Sequence, residues 1–156
     1  HIMKSIRSGL MVAGCLASLV GLGCATPGVK KAYEGPDLPA EALATVQGTT
    51  NGQFSVFNPQ RERISISRVD DENTVPWYSW SDLPTAVQVL PGKRKLDVQY
   101  EHIHGVARGP IWVDARSNRT YQIRVRNPEA RTERVYFLIE DITAQTLVGG
   151  SENTTP

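Results

Sequence analysis

The stretch AVQVLPGKRKLDVQY, residues 86–100, decides the fold. Val87 and Val89 alternate with polar neighbours and run into Pro91-Gly92, a turn signal. From Arg94 to Tyr100, Leu96, Val98 and Tyr100 point one way and Lys95, Asp97 and Gln99 the other. That period of two is the mark of a half-buried strand. Working outward, QFSVF at 53–57 places Phe54 and Val56 on one face. Ile64, Ile66 and Val69 follow, with Arg63, Ser65 and Ser67 opposite them. Ile111 and Val113 resume the pattern after Gly109-Pro110, and Tyr121, Ile123 and Val125 alternate with Gln122, Arg124 and Arg126. Val135, Phe137 and Ile139 share a face while Tyr136 and Leu138 make the other side apolar too, as a central strand requires. Seven or eight short strands separated by Gly, Pro, Asn and Asp predict an all-β domain over 44–150, a small antiparallel β-sandwich, with 151–156 a disordered tail.

Composition agrees. The 156 residues are 40% hydrophobic and 21% charged, enough for one core, and 17 Lys+Arg face 16 Asp+Glu. This balance excludes a strongly basic nucleic-acid binder, so no nucleic-acid partner is expected. Two cysteines are too few for a disulfide scaffold or a Cys-based zinc site.

The amino end is a different kind of text. His1 and Ile2 precede Met3 and read as a cloning remnant. Lys4 and Arg7 form a charged region, and residues 8–23 are uncharged and apolar. Sixteen residues fall short of the roughly 20 that span a bilayer, so residues 3–23 read as a secretory signal peptide. It ends in Gly21-Leu22-Gly23-Cys24, a small residue before cysteine, the pattern of a lipoprotein signal whose cysteine becomes the acylated first residue. Val12-Ala13-Gly14-Cys15 fits the residue types best, since Gly21 stands where Leu is usual, but leaves an apolar core of only 8–14. Length favours Cys24, with Cys15 the second candidate. Ala25 stands where Asp resembles an inner-membrane retention signal, which points to the outer membrane. Without Lys4 and Arg7, residues 24–156 carry 15 Lys+Arg against 16 Asp+Glu, a net charge of about −1.

Residues 25–43, ATPGVKKAYEGPDLPAEAL, hold Pro27, Gly28, Gly35, Pro36 and Pro39 without alternation. With Cys24 they read as a flexible, partly polyproline-like tether with a reach of about 63 Å.

Two resemblances follow from these residues. Val69-Asp70, Leu90-Pro91-Gly92-Lys93 and Leu96/Val98/Tyr100 are similar to the layout of PEGA-type surface modules, with Asp71 where that layout has Gly. Tyr33–Pro39, Ile139–Asp141 and Val148–Gly150 resemble stretches of uncharacterised proteobacterial outer-membrane lipoproteins. The resemblance implies a β-sandwich in the envelope and brings no catalytic residues.

Catalytic motifs are few. There is no G-x-S-x-G, H-E-x-x-H, P-loop or G-x-G-x-x-G. His102 and His104 lie at strand spacing i and i+2, but neither a cysteine nor a third histidine completes a metal site, so no metal or cofactor is expected. Trp77, Tyr78 and Trp80 crowd between Pro76 and Pro84, where no strand pattern holds. They read either as a contact surface for a glycan, a protein or lipid headgroups, or as a lid over one end of the domain. Arg124 and Arg126 line an outward face, with Asp97 and Glu101 as candidate cross-strand partners. That face would meet a carboxylate or phosphate, or serve only as a solvated edge. The expected function is a non-enzymatic, lipid-anchored interaction or scaffolding module on the periplasmic face of the outer membrane. Its partners would be the membrane, through the lipid, and an envelope protein. The alternative is a peptidoglycan or glycan binder using the aromatic loop.

Overall fold

A computed structural model describes residues 28–51, 62–76, 82–102, 105–126 and 135–151. The protein is all-β. Eleven strands are found among these residues: β1 Val29–Lys31, β2 Ala44–Gln47, β3 Thr50–Asn51, β4 Glu62–Val69, β5 Glu72–Asn73 and β6 Ala86–Val89, then β7 Gly92–His102, β8 Gly105–Ala115, β9 Arg119–Arg126, β10 Tyr136–Asp141 and β11 Thr146–Gly150. A 3-10 turn, Ala40–Ala42, leads into β2. No helix among the described residues is long and apolar enough to cross a membrane.

The strands form one sheet in the order β1-β6-β2-β9-β10-β11-β8-β7-β4-β3, with β5 paired to β4. In place of the expected sandwich of two stacked sheets there is one sheet, and the expected seven or eight antiparallel strands are corrected in two further respects. The count is higher, because two-residue and three-residue strands carry no readable period. Two pairings, β1 with β6 and β2 with β9, are parallel. The sheet is also curled until its two sides meet. Ile66 N donates to Pro84 O (2.8 Å) and Ile64 N to Thr49 O (2.9 Å), stitching β4 to the segments beside β6 and β2, while Gly48 N donates to Thr85 O (2.6 Å) and prolongs the β2–β6 pairing. Register shifts in β4/β7 and β10/β11 supply the bends that such curling needs.

Inside the curl lies a single core. Leu96, Val98, Ile111, Tyr121, Ile123, Phe137 and Ile139 are buried there, on the faces that alternation assigned to them. β10, the doubly apolar strand, sits between β9 and β11. The Tyr121 hydroxyl accepts a hydrogen bond from Arg116 N (2.8 Å), fixing the β8–β9 turn from within the core. Ser65 departs from expectation. Placed outward by its polarity, it is fully buried, and its hydroxyl donates to Gln99 O at 3.5 Å. Residues 53–57 lie outside the described residues.

The tether reading also changes. Val29–Lys31 pairs along β6, with Val29 opposite Ala86, and Leu43 is buried at the entrance to β2. Within 28–43, Val29–Ala32 and Leu43 are therefore held on the sheet.

Strand directions sort the connections into two ends. One end carries the amino side of β1, the exits of β2 and β9, the entry to β10 and the junction of β7 with β8. The opposite end carries the exit of β1 at Lys31, the β4–β5 turn, the β6–β7 turn and the turn at 142–145.

Candidate functional site

At the second of these ends lies a cleft of about 380 Å³, between the chain leaving β1 and the β4–β5 turn. The first wall is Lys31, Ala32, Tyr33 and Glu34. Ala32 N donates to Gln88 O (2.9 Å), so the chain is held to β6 one residue past β1. Lys31 Nζ then stands 4.7 Å above the Tyr33 ring and donates to Asp37 Oδ1 at 2.9 Å and to Gly35 O. Leu38 N donates to the Tyr33 hydroxyl (3.1 Å). Gly35 at φ 99° makes the turn that brings these groups together, a conformation costly for any residue with a Cβ. Tyr33–Leu38 is a clasp.

The second wall is built by the turn Asp70-Asp71, both at positive φ (50° and 71°). Asp71 occupies the left-handed conformation where the resembled module has Gly, and Asp tolerates it better than most residues. Asp70 Oδ2 accepts from Arg94 Nη1 (2.7 Å) and Oδ1 from Lys95 N (3.0 Å). Arg94 also donates to Leu90 O (2.8 Å) and Pro91 O (3.0 Å), so one guanidinium joins the β4–β5 and β6–β7 turns. Lys95 Nζ meets Asp71 Oδ1 at 2.7 Å, which lowers the Asp71 carboxyl below its ordinary value and raises the Lys95 ammonium above its own. Thr74 is buried, and its hydroxyl donates to Ile66 O (2.7 Å). Val69, Leu90 and Ala32 give the cleft an apolar floor, with Glu34, Glu72 and Asn73 at its margin.

Asp70 with Arg94, Asp71 with Lys95 and Lys31 with Asp37 are thus already engaged. The cleft offers a rigid, mixed polar and apolar surface, suited to an extended polypeptide or another docked chain rather than to a single small anion.

The residues singled out from the sequence lie elsewhere. Cys24, Trp77, Tyr78, Trp80, Cys15 and His104 are outside the described residues. Arg124 is exposed, and its Nε donates to Glu140 Oε2 at 2.7 Å, beside a groove of about 550 Å³ that Thr49, Gln122 and Ile142 help to line. Arg126 is exposed opposite Tyr136. The expected partners Asp97 and Glu101 are not beside them. Asp97 pairs across Arg68 and Pro110, and Glu101 across Arg63 and Val106, because β7 and β9 are not neighbours.

His102 stacks on Tyr100 (ring centroids 5.9 Å apart), with its Nε2 3.8 Å from Glu62 Oε1. The Tyr100 hydroxyl is buried without a hydrogen-bond partner among the described residues. Burial pushes this phenol up to about 12, and the Glu62 carboxylate adds to the shift. Among the described residues no group of three His, Cys, Asp or Glu is arranged to hold a metal.

Sequence reasoning missed the cleft because its walls are far apart in the chain. Tyr33–Pro39 stood out as a motif, and Lys31 six residues before Asp37 was the available signal for a closed loop. Comparison with protein-family models, with curated proteins and with solved structures finds no match to this chain.

Proposed function

We propose that this chain is a non-enzymatic, lipid-anchored β domain on the periplasmic face of the outer membrane, presenting its cleft to a protein partner in the envelope. In this reading residues 3–23 are a lipoprotein signal peptide and Cys24 is the acylated first residue. Each buried CH₂ contributes about 0.8 kcal/mol, so a multiply acylated cysteine stays in the bilayer where a single chain would exchange.

One observation carries the docking part. The amino side of Val29, toward which any anchor at Cys24 leads, and the cleft lie at opposite ends of the sheet. A lipid at one end leaves the cleft open to the periplasm at the other. The fixed side chains of its walls also reduce the entropy lost on docking.

The test has two parts. Cys24→Ser should abolish fatty-acid labelling and move the protein to the soluble periplasmic fraction; persistent labelling would assign the lipid to Cys15. A photo-crosslinker at exposed Glu34 should capture one discrete protein in the native envelope, and Glu72→Arg should weaken that capture. Retention on purified sacculi, lost in Trp77→Ala/Trp80→Ala and unaffected by Glu72→Arg, would replace this reading by glycan binding.

A further inference from the structure

The sheet and the short link to Cys24 together fix how far the domain stands from its anchor. Val29 comes five residues after Cys24, and a fully extended chain spans about 17 Å over those five steps. Val29 is opposite Ala86 in β6. Two residues further toward the anchor end, Pro84 O holds Ile66 N, and Ile66 is in register with Val98 and Gly109. From Gly109 the β7–β8 ladder continues for four more residues, to Gly105 opposite His102. The end of this ladder therefore projects about six residues beyond Val29, or about 20 Å along the strands, and less where they tilt from the domain axis. Link and projection are nearly equal in length.

The residues at that projecting end fit a lipid surface. Val106 is 58% exposed, the most exposed of the large apolar residues described. Arg108, two residues on along β8, is exposed, and exposed Arg126 leaves β9 toward the same end. Arg108 Nε donates to Gln99 Oε1 (2.8 Å), which holds its guanidinium on the same outward face as Val106, and Arg126 stands three strands away and further from the tip. An apolar tip with guanidinium groups set behind it suits the zone between acyl chains and phosphates.

We propose that the β7–β8 ladder end, with Val106 foremost among the described residues and Arg108 and Arg126 behind it, rests on the phospholipid headgroups of the leaflet that holds the Cys24 acyl chains. The inference rests on the lipid-anchor reading and adds an orientation to it. The link holds Val29 no farther from the bilayer than about the ladder's own projection, which brings Val106 to the headgroups and keeps the cleft turned away.

Photo-crosslinking in whole cells tests this with the full chain. Benzoylphenylalanine replaces Val106 in one culture and Ser117, in the exposed turn at the opposite end, in another, with phospholipids labelled by radioactive phosphate. Irradiation should transfer phosphate label to the protein at least tenfold more from position 106 than from 117. Cys24→Ser should remove the label from both. Crosslinks from 106 to protein without phosphate label, or equal phospholipid labelling from both positions, would overturn the orientation while fatty-acid labelling at Cys24 leaves the anchor intact. Absence of fatty acid on the parent protein would remove the anchor and this proposal together.

Discussion

Gly48 is where the curled sheet has least room, and its replacement by alanine tests the closure directly. A Cβ added there would lie 2.1 Å from Ile64 O and 2.8 Å from Ile64 C, both backbone atoms that cannot swing aside. Ordinary contact needs more than 3 Å, so β4 would have to retreat by about 1 Å from β2. Two hydrogen bonds cross this seam, from Ile64 N to Thr49 O and from Ile66 N to Pro84 O. Weakening both at about 1 kcal/mol each, together with loosened packing around Ile64 and Ile66, gives a loss of about 3 kcal/mol. For a domain of this size the thermal midpoint should fall by about 10 °C. The control is Gly109→Ala, whose Cβ would meet Phe137 Cε2 at 3.6 Å, an ordinary contact, and should cost about 1 kcal/mol at most. Urea unfolding followed by far-UV circular dichroism measures both. If Gly48→Ala unfolds at the same urea concentration as the parent protein, the sheet is not closed at this seam.

Three further outcomes are expected. Phe137→Ala, removing a ring only 1% exposed at the centre of the core, should cost about 3–5 kcal/mol in the same unfolding assay. Arg124→Ala should cost less than about 0.5 kcal/mol, since its ion pair with Glu140 is exposed to solvent and screened. Tyr100 should ionise near pH 12 by ultraviolet difference absorbance. Its folded value lies above the unfolded value of 10, so the native state holds this proton more tightly. The stability associated with that proton is complete below pH 10 and is lost as pH rises toward 12. Tyr100→Phe should abolish that alkaline loss and leave neutral stability unchanged or slightly higher, because the hydroxyl it removes is buried without a partner.

What could be read from the sequence was local. Leu96, Val98 and Tyr100 announced a strand because alternation repeats within seven residues, and their burial follows. Ser65 was misplaced because a hydroxyl looks polar in a one-dimensional pattern, whereas a neighbouring carbonyl makes its burial tolerable. Val29–Lys31 carries no period at all. It becomes a strand only because β6, more than fifty residues later, offers an unpaired edge. The cleft is further still from local information. Arg94 reads as one more outward residue of a strand, and its role appears only when the β4–β5 and β6–β7 turns are brought to either side of its guanidinium. The ion pairs expected for Arg124 and Arg126 failed for the same reason, since strand order decides which charges meet.

The parallel pairing of β1 with β6 has a mechanical meaning. A pull on the amino end runs along the axis of β1, so its backbone hydrogen bonds are loaded together in shear rather than opened one after another as in a zipper. Behind them the Tyr33–Leu38 clasp, closed by Lys31 on Asp37, resists slippage of the chain past β6. Tension applied at the amino end is thereby carried into the sheet through Gln88 and β2, and the walls of the cleft keep their spacing under load.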